Sequence, residues 1–358
     1  MTFQIRTPAA RLPRIAHLVD DTTPGGVSRY LAFIAADTGM AALGTHRIVP
    51  VPRSRPASVS VEADIIVSHL TITWRGLPGL MALRARHAGT PLIHVEHSYC
   101  EGFVAANVRA RRRFLTLLRA GYALFDRVAA VSAEQAGWMD RHGLVAPGVL
   151  SVVPPSVDFA PFRAVDAAAD PARTFALIGR LDRQKGFDVA IAAFRAVEGP
   201  DLRLKIFGEG PEGAALRALA AGDARITFEG HAPAPNAAYA AADVVLMPSR
   251  WEPFGLVARE ALVAGRRLVV SATDGLRGPL GPGATRVAGL SVGQWSEAIA
   301  GLAQSHSVAT SDTDTDTGGG AGAEPEVATR DGWAVLLAGL WQSAPVPSDM
   351  LPVDVLPA

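Results

Sequence analysis

Short apolar runs alternate with helical patterns from one end of the 358-residue chain to the other, and this alternation constrains the fold more than any other feature. The first set is Ile15-Ala-His-Leu-Val19, Asp64-Ile-Ile-Val-Ser-His-Leu70, Pro91-Leu-Ile-His-Val95 and Arg127-Val-Ala-Ala-Val-Ser132. The second set is Thr174-Phe-Ala-Leu-Ile-Gly179, Leu202-Arg-Leu-Lys-Ile-Phe207, Asp243-Val-Val-Leu-Met-Pro248 and Arg267-Leu-Val-Val-Ser271. Continuous apolar strands between helices predict parallel sheets covered on both faces. The Pro-, Ala- and Asp-rich stretch from Pro154 to Pro171 separates the sets and reads as a linker. The length suits two domains of about 150 residues each. The expected fold class is therefore α/β, with two doubly wound, Rossmann-like domains facing a cleft. The first spans 1–160 and the second 161–305. Ligands in such sheets bind at the carboxyl ends of the strands. Residues 306–328 carry Asp312, Asp314 and Asp316 among Ser, Thr and Gly, and read as a disordered low-complexity linker. That run lacks the glycine and glutamate of a calcium loop, so no metal is expected there. A last helix is expected over 329–345.

Charge narrows the function. The formal net charge is zero, which argues against a nucleic-acid partner. Cys100 is the single cysteine, so no internal disulfide forms. No apolar run reaches the roughly 18 residues that span a bilayer, and Met1–Arg14 lacks the apolar core of a signal peptide. A cytoplasmic protein is expected. The zero hides an asymmetry: residues 1–165 hold 18 basic against 11 acidic side chains, a net of +7, and the remainder balances it.

Five constellations carry chemistry. Gly25-Gly26 follows the first strand and opens a helix, where a backbone can approach an anion. Arg180 and Lys185 flank the loop after the Thr174 strand and can clamp a diphosphate. Lys185 stands out because only two of the 34 basic residues are lysines. Gly208-Glu-Gly210-Pro-Glu-Gly213 matches G-x-G-x-x-G, with Glu229 21 residues beyond the first glycine. Glu252-Pro-Phe254-Gly255-Leu256-Val-Ala-Arg-Glu260 places two carboxylates around a helix start. The carboxylates suit sugar hydroxyls, and the free backbone N–H groups of Phe254, Gly255 and Leu256 suit a phosphate. In His94-Val-Glu-His97 the histidines point to opposite faces of a strand, and His97, nearer its carboxyl end, is the cleft candidate. The other histidines show no partner pattern and read as ordinary core or surface residues.

Taken in order, these stretches resemble a retaining glycosyltransferase of the GT4 family with a GT-B fold. The matching elements are Gly25-Gly26, His97-Ser98, Val131-Ser132, Val153-Pro-Pro-Ser-Val-Asp158, Gly179-Arg180, Lys185-Gly186, Gly208-Glu-Gly210 and the Glu252/Glu260 pair. The resemblance implies roles. Arg180 and Lys185 would bind the diphosphate of a nucleotide sugar, and Glu260 the ribose. Glu252 and the Phe254–Leu256 backbone would hold the transferred sugar. Gly25 and Gly26 would close on the donor, Gly208 and Gly210 would line its loop, and His97 would contact the sugar near the reacting carbon. The acceptor would be a glycan or a lipid-linked molecule, the setting cell-surface polysaccharide assembly, and no metal or other cofactor would be needed. Two positions depart from the pattern: Pro155-Ser156 precedes Val157-Asp158, and Asp274-Gly275 stands where a double glycine and an acid are usual.

Two other functions compete. An NAD-dependent oxidoreductase would use the Gly208 loop but leaves Arg180, Lys185 and the two glutamates unexplained. A non-catalytic sugar-nucleotide-binding protein would keep the fold. Finally, residues 107–127 hold six arginines and one acid, with Phe114, Leu117, Leu118, Tyr122 and Phe125 on one helical face. This predicts either a basic amphipathic helix lying on an anionic membrane at its inner face, or a core helix with a solvated basic side.

Overall fold

The structure, a computed structural model, describes residues 11–304 and 324–341. Among the described residues twelve strands form two parallel sheets of six. The first contains β1 (Arg14–Val19), β2 (Thr45–Pro50), β3 (Ile65–Ser68), β4 (Leu92–Glu96), β5 (Arg127–Ala130) and β6 (Leu150–Val152), in the order β2-β1-β3-β4-β5-β6. The second contains β7 (Thr174–Ile178), β8 (Arg203–Phe207), β9 (Ile226–Gly230), β10 (Val244–Met247), β11 (Arg267–Ser271) and β12 (Ala284–Val287), in the order β12-β11-β10-β7-β8-β9. Both orders reverse beside the first strand of the domain, which opens a crevice at the carboxyl ends. The interior strands are largely buried on both faces because helices cover both. Ile65, Ile66 and Val67, consecutive on β3, are all fully buried.

The helix Pro325–Ala338 returns to the first domain. Trp333, Leu336 and Leu337 join its core with Tyr30, Ile34 and Val95, and Arg330 pairs with Asp37 at 2.6 Å. It begins at Pro325, four residues before the expected start, because proline fits the first turn where no N–H is needed. Residues 325–328, expected to be linker, are therefore helical. The aspartate run at 312–316 lies outside the described residues.

The arginine-rich segment forms the helix Arg111–Tyr122, and its apolar face is core. Leu117, Leu118, Tyr122 and Phe125 are buried among Leu70, Ile72 and Tyr99, with Phe114 packed against them. A face already buried in protein is not available to lie among lipid headgroups, so the membrane-inserting form of that expectation is corrected. Arg109, Arg111, Arg112 and Arg113 remain exposed. Among the described residues no helix is long and apolar enough to cross a membrane.

Candidate active site

Three loops at the carboxyl ends of the second sheet pack backbone against backbone, and glycine makes this possible. A Cβ on Gly208 would lie 2.0 Å from the carbonyl oxygen of Gly179, and one on Gly186 would lie 2.0 Å from that of Pro248. Both glycines also have positive φ, +126° and +66°. Gly210 meets the Leu181 carbonyl in the same way. The Gly208 motif thus seats its loop on the Gly179–Leu181 loop. Glu229, the acid a dinucleotide fingerprint would need, is exposed on edge strand β9 and accepts from Thr227. The dinucleotide reading loses its support.

The same packing brings Lys185 to Glu252. Their Nζ and Oε2 atoms are 2.6 Å apart, and both side chains are mostly buried. Ser249 Oγ approaches the same oxygen at 3.4 Å. Behind Glu252 the helix Leu256–Val263 starts from Gly255, which has φ +92°. A Cβ there would strike Leu276 at 2.6 Å. In its first turn the Ala258 N–H donates to the Gly255 carbonyl, while the N–H groups of Leu256 and Val257 come too early for an intrahelical partner. Arg180 lies at the rim, largely exposed and bonded to Asp182.

Glu260 sits one turn inside that helix and is 1% exposed. It accepts from the buried Tyr239 hydroxyl and pairs with Arg29 Nη2 at 2.8 Å. Arg29 comes from the first domain, three residues after Gly26. A Cβ on Gly26 itself would lie 3.4 Å from Leu256 Cδ1. The two domains therefore meet at the predicted donor loops. Ser132 Oγ donates to the Pro253 carbonyl at 2.8 Å. Asp274 accepts from Gly102 N at 2.9 Å, Cys100 Sγ at 3.2 Å and Glu252 N at 3.2 Å. Its φ of +38° is left-handed, a conformation an aspartate tolerates better than most residues. The departure at Asp274-Gly275 thus ties the loop after β4 to the Glu252 loop. A Cβ on Gly275 would lie 2.4 Å from the Pro253 carbonyl.

On the first-domain side, His97 is half-buried just past the end of β4, while His94 is in the core beside Glu96. Burial pushes the His97 imidazole down to about 4, against the pull of nearby Glu96. His17 and His69 lie well below the ordinary histidine range for the same reason.

The structure thus gathers Lys185, Glu252, Glu260, the Phe254–Leu256 turn and Gly26 at one interdomain seam, with Arg180 at its rim. Sequence reasoning missed Arg29, Tyr239 and Asp274 as partners. It also missed His17, His46 and His69, whose bonds to one another and to His97 span 28 to 52 residues and leave no local signal. Among the described residues no cluster of three or more potential ligands could hold a metal ion.

Comparison with known proteins places this architecture. Residues 20–160 match the model of glycosyltransferase family 4, and residues 172–305 match that of the glycosyl transferases group 1. The D-inositol 3-phosphate glycosyltransferase of Segniliparus rotundus is 33% identical over 231 aligned residues, covering 58% of this chain and 51% of that protein. Its counterpart in Mycobacterium avium is 31% identical over 272, covering 69% and 63%. The chain thus spans little more than half the length of these relatives. Anabaena HepE, solved with UDP-glucose, superposes with a TM-score of 0.61 at 17% identity over 80% of this chain and 88% of that one. Two matched models in sequence, covering both domains, and a shared two-sheet architecture lead to one conclusion: the chain belongs to the group 1, family 4 glycosyltransferases and has their GT-B fold.

Proposed function

We propose that the protein is a retaining glycosyltransferase that moves a sugar from a nucleoside diphosphate sugar to a glycan or lipid-linked acceptor. The observation that carries this is the Lys185–Glu252 pair at the start of the Leu256–Val263 helix. A cation, a carboxylate and free N–H groups converge there, which suits a diphosphate joined to a polyol. Lys185 and Arg180 neutralise the leaving diphosphate, and Glu252 accepts from the sugar hydroxyls. Glu260 takes the ribose once Arg29 yields its place. The bond from the anomeric carbon to the diphosphate breaks as the acceptor oxygen bonds the same face. The departing phosphate oxygen takes the acceptor proton. No metal is required, since the diphosphate charge is met by side chains and a helix start.

The test is a thermal-shift screen of UDP, GDP and ADP sugars, with UDP-glucose first because HepE was solved with it. A donor at 100 times its dissociation constant stabilises the fold by about 2.7 kcal/mol. Acceptor trials begin with D-inositol 3-phosphate, the substrate in the relatives' names. Failure of every donor to bind overturns the proposal.

The exposed Arg109, Arg111, Arg112 and Arg113 support a further part of this reading: electrostatic attachment to an anionic membrane without apolar insertion. Co-sedimentation with anionic vesicles should occur at low salt and vanish at high salt. Equal binding to neutral vesicles excludes it.

A further inference from the structure

Four histidines form one continuous hydrogen-bonded file across the first sheet. His46 Nε2 meets the Met40 carbonyl oxygen at 3.0 Å. His46 Nδ1 meets His17 Nε2 at 2.9 Å, and His17 Nδ1 meets His69 Nε2 at 3.0 Å. His69 Nδ1 meets His97 Nε2 at 2.8 Å. The register explains the file. His46 stands opposite Ile15, and His17 lies two residues on; His17 stands opposite Val67, and His69 lies two residues on. Continuing the pairing of Ser68 with His94, His69 falls opposite Val95, two residues before His97. Each step across the sheet advances two residues, so every ring stays on one face while the file climbs from the edge strand to the cleft. Tyr30 and Trp333 cover it, with Trp333 5.7 Å from His17 and Tyr30 5.8 Å from His97 between ring centres.

The Met40 carbonyl can only accept. His46 must therefore carry its proton on Nε2, which leaves Nδ1 as an acceptor. His17 must then donate from Nε2, and so must His69 and His97 in turn. One backbone carbonyl fixes four tautomers. It also fixes which member can take an extra proton. A charged ring donates from both nitrogens, and for His17, His69 or His46 that would set two N–H groups against each other. Only His97, whose Nδ1 ends the file, escapes this conflict. Its depressed basicity keeps it neutral near pH 7.

We propose that His46, His17 and His69 are positioning residues that lock His97 as the Nε2–H tautomer, so that its Nδ1 lone pair is the group presented to the transferred sugar. This rests on the glycosyltransferase reading for the identity of the ligand, but the lock itself does not. A sugar losing its diphosphate gains positive charge around the anomeric carbon. A lone pair favours that charge, and an N–H dipole or an imidazolium opposes it. An unlocked imidazole would divide its time between the two tautomers. The lock therefore acts on kcat more than on KM.

Protein carrying ring-labelled [15N]histidine tests this directly. Long-range proton–nitrogen correlation spectra of the unliganded protein should show His97, His69, His17 and His46 all as Nε2–H. His97 found as Nδ1–H, or as a mixture, overturns the lock whatever the activity. Two substitutions at His46, remote from the cleft, separate the lock from packing. H46F keeps the ring volume but cannot accept from His17; H46N offers a carboxamide oxygen in place of Nδ1. We expect H46F to mix the His97 tautomers and lower kcat about fivefold, the worth of one neutral hydrogen bond, with KM little changed. H46N should retain both. If H46F equals or exceeds H46N, the file is only packing and the proposal fails. If the wild-type spectra show the lock but no nucleotide sugar binds, the glycosyltransferase reading fails and the lock stands.

Discussion

The two walls of the cleft are built in opposite ways. The second domain's wall is ionic: Lys185 pairs with Glu252, and Glu260 takes Arg29 from across the seam. The first domain's wall is neutral: a file of uncharged imidazoles fixed by a backbone carbonyl. In the proposed reaction the ionic wall would hold what is charged in a donor, its diphosphate. The neutral wall would then face the part that must become charged, the sugar. On that proposal a fixed cation opposite the sugar would oppose the reaction, and burial keeps His97 from becoming one near pH 7.

Acid should break this contrast first, and with the largest effect. Burial lowers His17 and His69 well below their unfolded values, and His97 to about 4. For a base lowered on folding, the unfolded chain binds more protons. The associated stability is complete above about pH 6.5 and is lost as pH falls beneath it, for His97 over the window down to about 4. We expect a fall in stability as pH drops from about 6.5 to about 5.5, with His17 and His69 both contributing. Hydrogen exchange should place it in the first sheet. The lowered carboxylates Asp188 and Asp223 of the second domain lose their contribution only below about pH 4. Urea unfolding that is flat from about pH 7.5 to about pH 5.5 would show that the file carries no stability.

The seam between the walls comes next. R29A leaves Glu260 buried with only the Tyr239 hydroxyl. We expect a loss of about 2 kcal/mol, reduced from the full value for a buried pair because Arg29 is partly solvated. E260Q keeps an acceptor for Tyr239 and should cost less stability, yet lose nucleotide binding. Calorimetric titration with the donor found by thermal shift measures both. If E260Q binds as tightly as wild type, Glu260 serves the seam alone.

What the sequence revealed follows the same division. All eight apolar runs are strands, and all eight are interior members of their sheets. The four strands that escaped notice, β2, β6, β9 and β12, are the four sheet edges. Edge strands face solvent on one side and carry mixed residues, as in β9, whose five residues are all at least partly exposed. Their apolar signal is diluted below recognition. The site divides likewise. Lys185, Glu252, Gly255 and Glu260 sit in short motifs whose spacing is chemical information. His17 and His69 sit in strands where a histidine looks like an accident, because their partners are supplied by register. Arg29 was passed over because only the folded seam gives it Glu260. The arginine-rich helix shows the converse limit: its pattern fitted both lipid and core, and only packing decided between them.

Within the ionic wall the effect on activity should grade with burial. K185A removes a mostly buried charge in contact with Glu252 and should lower kcat/KM tenfold or more, about 1.5 kcal/mol. R180A removes a largely exposed one and should cost less. Combining K185A with E252A should be far from additive, because each variant already breaks the same 2.6 Å contact. Equal losses from R180A and K185A would mean that the diphosphate lies at the rim and not at the seam.

The smallest expected effect is none. If Lys185, Arg180 and the Leu256–Val263 helix start neutralise the diphosphate, a divalent cation adds nothing that the ionic wall lacks, and transfer should proceed unchanged in EDTA. The donor set agrees with this. The acids of the wall are already engaged, Glu252 by Lys185, Glu260 by Arg29 and Tyr239, and Asp274 by Gly102 and Cys100. A cation recruiting Glu252 would have to displace an ammonium held at 2.6 Å. Activity lost on chelation and restored by magnesium or manganese would show that the wall is incomplete by itself, and the contrast between an ionic and a neutral wall would have to be redrawn around the metal.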